Sequence, residues 1–259
     1  MRRFLLAFAG LAVVLLALPI VGLLQRMPWS SLPDLLGDDV TLDALRVSLV
    51  VSLVAALVVL VLGTPLAWAL GRTDLPGRRI ERALVVLPMV LPPVVGGAAL
   101  LFALGRRGLI GQWLDRWFGL TLPFTLTGAI LAATFVALPF YVIAVEGALR
   151  TARHEIDDLE GVASTLGAPP LTVLRRITLP RLLPAMGAGL ALAWARALGE
   201  FGATITFAGN LPGRTQTLPL ATFLALQSEP ERALALSLVM LAVALAVLLP
   251  LRDRWLPGR

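Results

Sequence analysis

Six long apolar runs constrain what this chain can fold into more than any other feature of its sequence. A membrane helix needs roughly 20 mostly apolar residues to cross the hydrocarbon core of a bilayer, and hydrophobic residues make up 58% of the 259 residues. Because a lone apolar segment must satisfy its backbone hydrogen bonds internally, each run predicts a helix. The sequence therefore predicts an all-α polytopic membrane protein, with spans at residues 4–25, 44–70, 82–104, 122–149, 182–208 and 233–251.

The arginines indicate how these spans are oriented. All 22 basic residues are arginine, because the chain has no lysine. With a cytoplasmic N-terminus, 14 arginines lie on the inner side and seven on the outer side, and cytoplasmic loops are the ones enriched in basic residues. We therefore expect both termini in the cytoplasm. The inner set is Arg2, Arg3, Arg72, Arg78, Arg79, Arg82, Arg150, Arg153, Arg175, Arg176, Arg181, Arg252, Arg254 and Arg259; the outer set is Arg26, Arg46, Arg106, Arg107, Arg116, Arg214 and Arg232.

Missing residue types exclude several chemistries. Without lysine the chain has no P-loop for ATP and no lysine nucleophile, and without cysteine it has no disulfide, zinc ribbon or thiol catalyst. The single histidine, His154, lies between Arg153 and Glu155 in a hydrophilic segment, whereas an intramembrane enzyme needs its base at membrane depth. We predict no catalytic residue, no metal site and no nucleic-acid partner, and an intramembrane enzyme is the remote alternative.

The longest hydrophilic stretch, residues 150–181, predicts a helix-turn-helix on the inner surface. Within residues 155–166, apolar side chains recur at the three- and four-residue spacing of an amphipathic helix. Gly167 is placed to end that helix as a left-handed cap, and Pro169 and Pro170 can begin the next one. The alternative is a basic loop that lies on lipid headgroups.

The spacing within this stretch resembles a known motif. Gly167, then Ile177 ten residues later, then Leu179 and Pro180 resemble the signature loop of bacterial ABC importer permeases, usually written EAA-x3-G-x9-I-x-LP. The acid of the motif stands one place early, at Glu160. In that family the loop docks on a separate ATPase subunit, which implies two ATP-binding subunits that hold ATP and Mg, no cofactor on this chain, and the following coupling residues: Glu160, Gly161, Val162, Ala163, Gly167, Ile177, Leu179 and Pro180.

The third span contains residues that interrupt a helix. Pro88, Pro92, Pro93, Gly96 and Gly97 fall within ten residues, and each interior proline removes a backbone hydrogen bond. Freed backbone groups at membrane depth are tolerated only against protein or a water-filled cavity. We expect this span to face a translocation pathway or a neighbouring helix, and a kink that serves only packing is the alternative.

The fifth span contains charged residues. Arg196 and Glu200 are four residues apart, on one helical face, where pairing lowers the cost of placing an arginine near mid-bilayer. In the functional interpretation Arg196 attracts an oxyanion and Thr204 and Thr206 lend hydroxyl donors. In the structural interpretation, which we favour, the pair fixes the fifth span to its neighbours.

Two stretches resemble one branch of the importer family, the molybdate/tungstate permeases. These are residues 87–97 with 105–108, and residues 195–207 with Asn210 and 212–217. The resemblance implies a type I importer permease in the bacterial inner membrane, an alternating cavity between two copies of the chain, and a periplasmic or lipid-anchored oxyanion-binding protein. That protein would dock on outer loops 26–43, 105–121 and 210–232. A sulfate or thiosulfate permease is the runner-up, although it usually has tyrosine at the position of Phe201 and lacks the run at residues 203–206.

The predicted domain organisation follows from the spans and the resemblance. Residues 1–43 form an N-terminal membrane helix and the first periplasmic loop, residues 44–251 form the ABC-type transmembrane domain with its coupling loop at 150–181, and residues 252–259 form a short cytoplasmic tail.

Overall fold

The computed structural model describes residues 2–72 and 77–255, with side chains described as far as residue 247. Within these ranges the chain is helical and contains no β-strand, which confirms the predicted fold class. The helices are α1 (Arg2–Gln25), α2 (Leu32–Gly37), α3 (Asp39–Arg72), α4 (Arg78–Val90), α5 (Pro93–Leu104), α6 (Gly111–Phe118), α7 (Leu126–Thr151), α8 (Arg153–Thr165), α9 (Pro170–Val173), α10 (Leu179–Leu198), α11 (Gly202–Phe207), α12 (Leu218–Ser228) and α13 (Pro230–Trp255).

Five stretches of helix are long and apolar enough to cross a membrane, and they correspond to five of the six predicted spans. They are α1, α3, α7, the continuous stretch Pro170–Leu198, and α13. The last helix continues to Trp255, beyond the predicted boundary at residue 251, and residues 256–259 of the predicted tail lie outside the described residues.

The third predicted span is wrong as a single helix. It consists of α4 and α5, which are bent by 120° at Leu91 and Pro92. Both residues have extended backbone, because a residue that precedes a proline is sterically excluded from the helical region, and Leu91 precedes Pro92 as Pro92 precedes Pro93. The predicted interruption is therefore confirmed, and it divides the span into two helices.

The segment that contains the bent pair joins opposite faces of the bundle, as the ends of its neighbours show. At one face, Arg46 near the start of α3 and Thr125 at the start of α7 line the same cavity. At the other face, a Cβ added to Gly71 at the end of α3 would lie 3.0 Å from Leu149 near the end of α7. Since α3 and α7 run in the same direction, the chain between them, which contains α4, α5 and α6, leads from the face where α3 ends to the face where α7 begins. Counted as one broken span, α4 and α5 are a sixth candidate crossing.

The remaining spans run in alternating directions. A Cβ on Gly189 of α10 would lie 3.0 Å from the Ala144 side chain of α7, and α10 begins beside α8, so it runs opposite to α7. Helix α13 begins beside Asp38, which forms a 3.1 Å ion pair with Arg232. The described residues thus offer five candidate crossings, or six with the bent pair counted as one broken span, and α13 runs toward the face that carries α8. We call this the inner face, because Arg72, Arg82, Arg150 and Arg181 of the predicted inner set lie on it.

The core is built on small residues that bring α3, α7 and α10 close together. Ala55, Ala133, Ala137 and Ala193 are fully buried within one apolar cluster. Such residues let helix backbones approach each other, which is how membrane helices gain packing energy when lipid is as apolar as their own side chains. Helix α1 differs, since none of its 24 residues is buried.

Two predicted boundaries on the outer side are wrong. The fifth span ends at Leu198 and not at residue 208, because the chain turns at residues 199–201 before the short helix α11 begins. The predicted outer loop 210–232 contains the apolar helix α12, which packs against α13 and α3 and buries Leu218, Leu220 and Ala221. Its 11 residues are too few to cross a bilayer, which is why a search for spans missed it.

Candidate functional site

The inner face carries an exposed turn between α8 and α9. Gly167 has a φ of +80°, which confirms the predicted left-handed cap, and its N–H donates to the Ser164 carbonyl at 3.0 Å. The turn presents apolar side chains to the surroundings: Val162 is 59% exposed and Leu166 83%. An apolar tip that projects from a charged surface is a feature of a protein-docking site. We call residues 161–171 the docking turn.

The eight predicted coupling residues do not form one surface. Gly161, Val162 and Gly167 are exposed at the docking turn, and Ala163 is half-buried there. Ile177 and Leu179 are half-buried, and Pro180 is exposed, in the following helix. That helix does not start at the predicted fifth span, since α9 continues through a π-helical turn, Leu174–Thr178, directly into α10. The motif therefore extends from the turn into the base of a membrane helix.

Glu160 points into the protein, away from the exposed side of the docking turn. One of its carboxylate oxygens accepts from the Arg72 guanidinium and the other from the Thr178 hydroxyl. Arg72 also pairs with Asp157 at 2.5 Å. Sequence reasoning grouped Glu160 with the docking residues and did not predict a role for Arg72 or Thr178, because their contacts join segments 18 to 88 residues apart.

A second ion cluster lies nearby on the inner face. The carboxylate of Glu146, which is 9% exposed, accepts from Arg82 of α4 and lies 3.8 Å from Arg150 of α7. Arg78 donates to the Leu70 carbonyl at the end of α3. Arginines that the sequence explained by topology alone therefore also connect α4 to α3 and α7.

On the opposite side of the bend, α5 packs directly on α11. A Cβ on Gly97 would lie 2.7 Å from Thr206 Cβ and 2.8 Å from the Ala203 carbonyl oxygen, and a Cβ on Gly202 would lie 2.6 Å from Pro93 Cβ. Gly96 and Gly97 are buried, whereas Pro92 is exposed and Pro88 is half-buried. The interrupted span thus contacts α11 through Gly97 and Pro93, whereas Pro92 remains exposed.

Arg196 and Glu200 form an ion pair with 2.8 Å between Nη2 and Oε2. The Glu200 side chain is 2% exposed and that of Arg196 is 29% exposed. The other carboxylate oxygen of Glu200 accepts from the backbone N–H of Ala203 at 2.8 Å, so the same side chain holds the start of α11. Thr204 is buried, and the Thr206 hydroxyl donates to the Gly202 carbonyl at 2.8 Å, so its hydrogen is not available to an anion in this conformation.

Sequence reasoning missed a cavity of about 480 Å³ on the outer face, between the starts of α3 and α7 and the loop before α12. Arg46 and Arg214 line it with Asp43, and among the described residues neither arginine has an ion-pair partner. Phe124, also in its wall, has a φ of +60° and is the one non-glycine residue of the described ranges with positive φ. The sequence placed both arginines in outer segments but gave no indication that these segments meet.

A helical bundle with five or six candidate crossings, an interrupted span packed on the short helix α11, and an exposed apolar turn on the inner face is the architecture of a multi-pass membrane protein. Residues 63–256 match the family described as "binding-protein-dependent transport system inner membrane component", and the chain belongs to that family. Members are transport permeases and not enzymes, which agrees with the predicted lack of a catalytic role.

The chain is similar along most of its length to curated permeases. It is 46% identical over 248 residues to the molybdenum transport system permease protein ModB of Mycobacterium tuberculosis (strain ATCC 25618 / H37Rv), covering 95% of this chain and 91% of that protein. It is 35% identical to the sulfate transport system permease protein CysT of Salmonella typhimurium (strain LT2), covering 94% and 87%.

A solved structure has a similar fold. The crystal structure of a bacterial alginate ABC transporter in complex with its alginate pentasaccharide-bound periplasmic protein matches with a TM-score of 0.71 and covers 96% of this chain and 93% of that one. At 21% sequence identity this likeness concerns the fold alone.

Proposed function

We propose that this chain is the membrane-spanning subunit of an ATP-driven importer for the tetrahedral oxyanions molybdate and tungstate, in a bacterial inner membrane. The 46% identity to a molybdenum permease, against 35% to a sulfate permease, supports the choice of substrate. The family, whose description refers to binding-protein-dependent transport, supports import with the aid of a separate binding protein.

The observation that carries the mechanism is the exposed docking turn. Leu166 and Val162 offer an apolar contact on the inner face, and the chain has no lysine with which to build a P-loop of its own. In this proposal the turn inserts into a separate ATPase subunit, which binds ATP and Mg. Closure of two such subunits on ATP then moves the docking turns of two copies of this chain.

The proposed assembly contains two copies of this chain, two ATP-binding subunits and a periplasmic or lipid-anchored oxyanion-binding protein. The binding protein docks on the outer face, where the starts of α3 and α7 and the loop before α12 meet around Arg46 and Arg214. A dianion cannot enter hydrocarbon, so it must pass through water between protein surfaces.

The proposed pathway lies beside the interrupted third span. Pro92 and Pro93 separate α4 from α5, and Pro88 lies inside α4 one turn before the break. Arg196, Glu200, Thr204 and Thr206 lie at or near the break between α10 and α11. In this proposal the two breaks are the flexible points at which the cavity opens alternately to each face. In this proposal the Arg196–Glu200 pair fixes α10 to α11 and does not bind the oxyanion. Glu200 neutralises the charge of Arg196, and a Glu200 carboxylate without this partner would repel a dianion.

The test uses the complete complex reconstituted in proteoliposomes with its binding protein. We expect binding protein loaded with molybdate or tungstate to stimulate ATP hydrolysis and uptake, and sulfate-loaded protein to give neither. The docking role is tested with Leu166→Asp, which places a charge on the exposed docking turn. This variant should abolish stimulation by releasing the ATPase subunit. Stimulation by sulfate alone would favour the sulfate permease, and unchanged coupling in Leu166→Asp would contradict the docking role.

The two alternatives have less support. A sulfate or thiosulfate permease is disfavoured by the lower identity and by Phe201 with the run at residues 203–206. An intramembrane enzyme would need His154 at membrane depth, whereas this residue is exposed at the first turn of α8 on the inner face.

A further inference from the structure

Glu160 uses both of its carboxylate oxygens inside the chain. Arg72 donates to one and Thr178 to the other, and the Glu160 side chain is only 22% exposed. The neighbouring Gly161 and Val162 face outward, so the acid lies on the protein side of α8. Its geometry is that of an internal connection and not of a group available to a partner.

Arg72 is the last residue of α3 and is held from three sides. Its guanidinium donates to Glu160, lies 2.5 Å from Asp157, and stands over the Trp68 ring at 5.3 Å from the ring centroid. Only 14% of its side chain is exposed. Charge-assisted hydrogen bonds that are largely shielded from water are stronger and more specific in geometry than exposed pairs.

Thr178 connects Glu160 to a second membrane helix. It is fully buried and closes the π-helical turn Leu174–Thr178, which lies within the continuous stretch Pro170–Leu198. Such turns carry an extra residue in the helical repeat and frequently mark functional positions. Through one carboxylate, α8 is therefore joined to the end of α3 and to the base of α10.

We propose that Arg72, Asp157, Glu160 and Thr178 form a clamp that makes the docking turn move together with α3 and α10. Glu160 is its positioning residue and does not contact the ATPase subunit. The proposal rests on the docking function proposed above. It adds a set of contacts through which movement of the docking turn displaces α3 and α10. Without the clamp, α8 remains attached through its buried Ile156, the exposed Glu155–Arg181 pair and the chain itself, and it can move without displacing the spans.

When the clamp is disrupted, we expect ATP hydrolysis to be uncoupled from uptake while the ATPase subunit stays bound to this chain. In Glu160→Gln, Arg72 loses one of its two carboxylate partners and keeps Asp157, while the apolar docking turn is unchanged. We expect the ATPase subunit to co-purify and to hydrolyse ATP as in the wild type, with uptake per ATP reduced by roughly fivefold or more, the lower end of typical coupling between sites. Thr178→Val, which keeps the side-chain volume, should reduce the same ratio to a smaller extent.

The matched control is Glu155→Gln, which removes an exposed pair with Arg181 (3.2 Å) from the same helix and should leave the ratio unchanged. Loss of ATPase binding in Glu160→Gln, or a wild-type ratio in both Glu160→Gln and Thr178→Val, would overturn the clamp. If Glu160→Gln does not fold, Thr178→Val decides.

Failure of the clamp and failure of the proposed function are distinguishable. If the wild-type complex shows no ATP-driven uptake of an oxyanion, the proposed function is wrong. If the wild type couples and the clamp variants couple equally well, the function stands and only the clamp is wrong.

Discussion

Single residues on this chain carry several contacts at once, and Glu200 is the clearest case. Its pairing with Arg196 follows from their four-residue spacing and was predictable from the sequence. Its second contact, with the Ala203 N–H, depends on a helix break at residues 199–201 that the spacing does not encode. The same holds for Glu160, whose role depends on partners far away in the sequence.

Removing the charge of Glu200 should destabilise the protein. Glu200→Gln keeps an oxygen for the Ala203 N–H but leaves a partly buried guanidinium without its counter-ion, so we expect a loss of ~1–3 kcal/mol in unfolding free energy. Glu229→Gln is the control, because that side chain is 53% exposed and its pair with Arg232 should contribute less than ~1 kcal/mol. Thermal unfolding in detergent measures both, and equal shifts would contradict the structural role of Glu200.

At the scale of elements, the sequence located five spans because apolar length and composition determine them. It also located the break in the remaining span, the third along the chain, because Pro92 and Pro93 cannot continue a helix. The bend of 120°, the shortened fifth span and the helix α12 were not predictable, since tertiary packing determines them: α5 lies against α11, and α12 against α3 and α13.

The contact between α5 and α11 should tolerate no added side chain at Gly97. In Gly97→Ala the new methyl group would overlap Thr206 and the Ala203 carbonyl, so we expect the two helices to separate, with a loss of ~1–3 kcal/mol in stability and of most uptake. Gly147→Ala in α7, where the new methyl group meets open space, is the control. Uptake assays and thermal unfolding report the effect, and two variants with the same behaviour would show that the contact is not close-packed.

At the scale of the whole molecule, the direction of each span follows from contacts between helix ends. The arginine count predicted an even number of crossings, and the parallel arrangement of α3 and α7 shows that the segment between them joins opposite faces of the bundle. The arginine distribution predicted which loops lie on the inner and which on the outer face. It could not determine whether the interrupted third span crosses the membrane or returns to the side on which it started.

Cysteine labelling can test this topology, because the chain contains no cysteine. His154→Cys in α8 and Leu120→Cys before α7 both place the thiol on exposed positions, at opposite ends of α7. We expect an impermeant maleimide to label Leu120→Cys in intact cells and His154→Cys only after permeabilisation. Labelling of both from one side would show that the polypeptide between them does not cross. Retained uptake in His154→Cys would also argue against an enzyme.

The length of α3 has a mechanical consequence. Its 34 residues extend for on the order of 50 Å along the helix axis, whereas a bilayer with its headgroups is about 40–45 Å thick. Along the bilayer normal the helix is therefore longer than the membrane is thick, and its last residue, Arg72, contacts α8. In the proposed importer, this extra length holds the docking turn away from the lipid headgroups, where a soluble ATPase subunit can bind it.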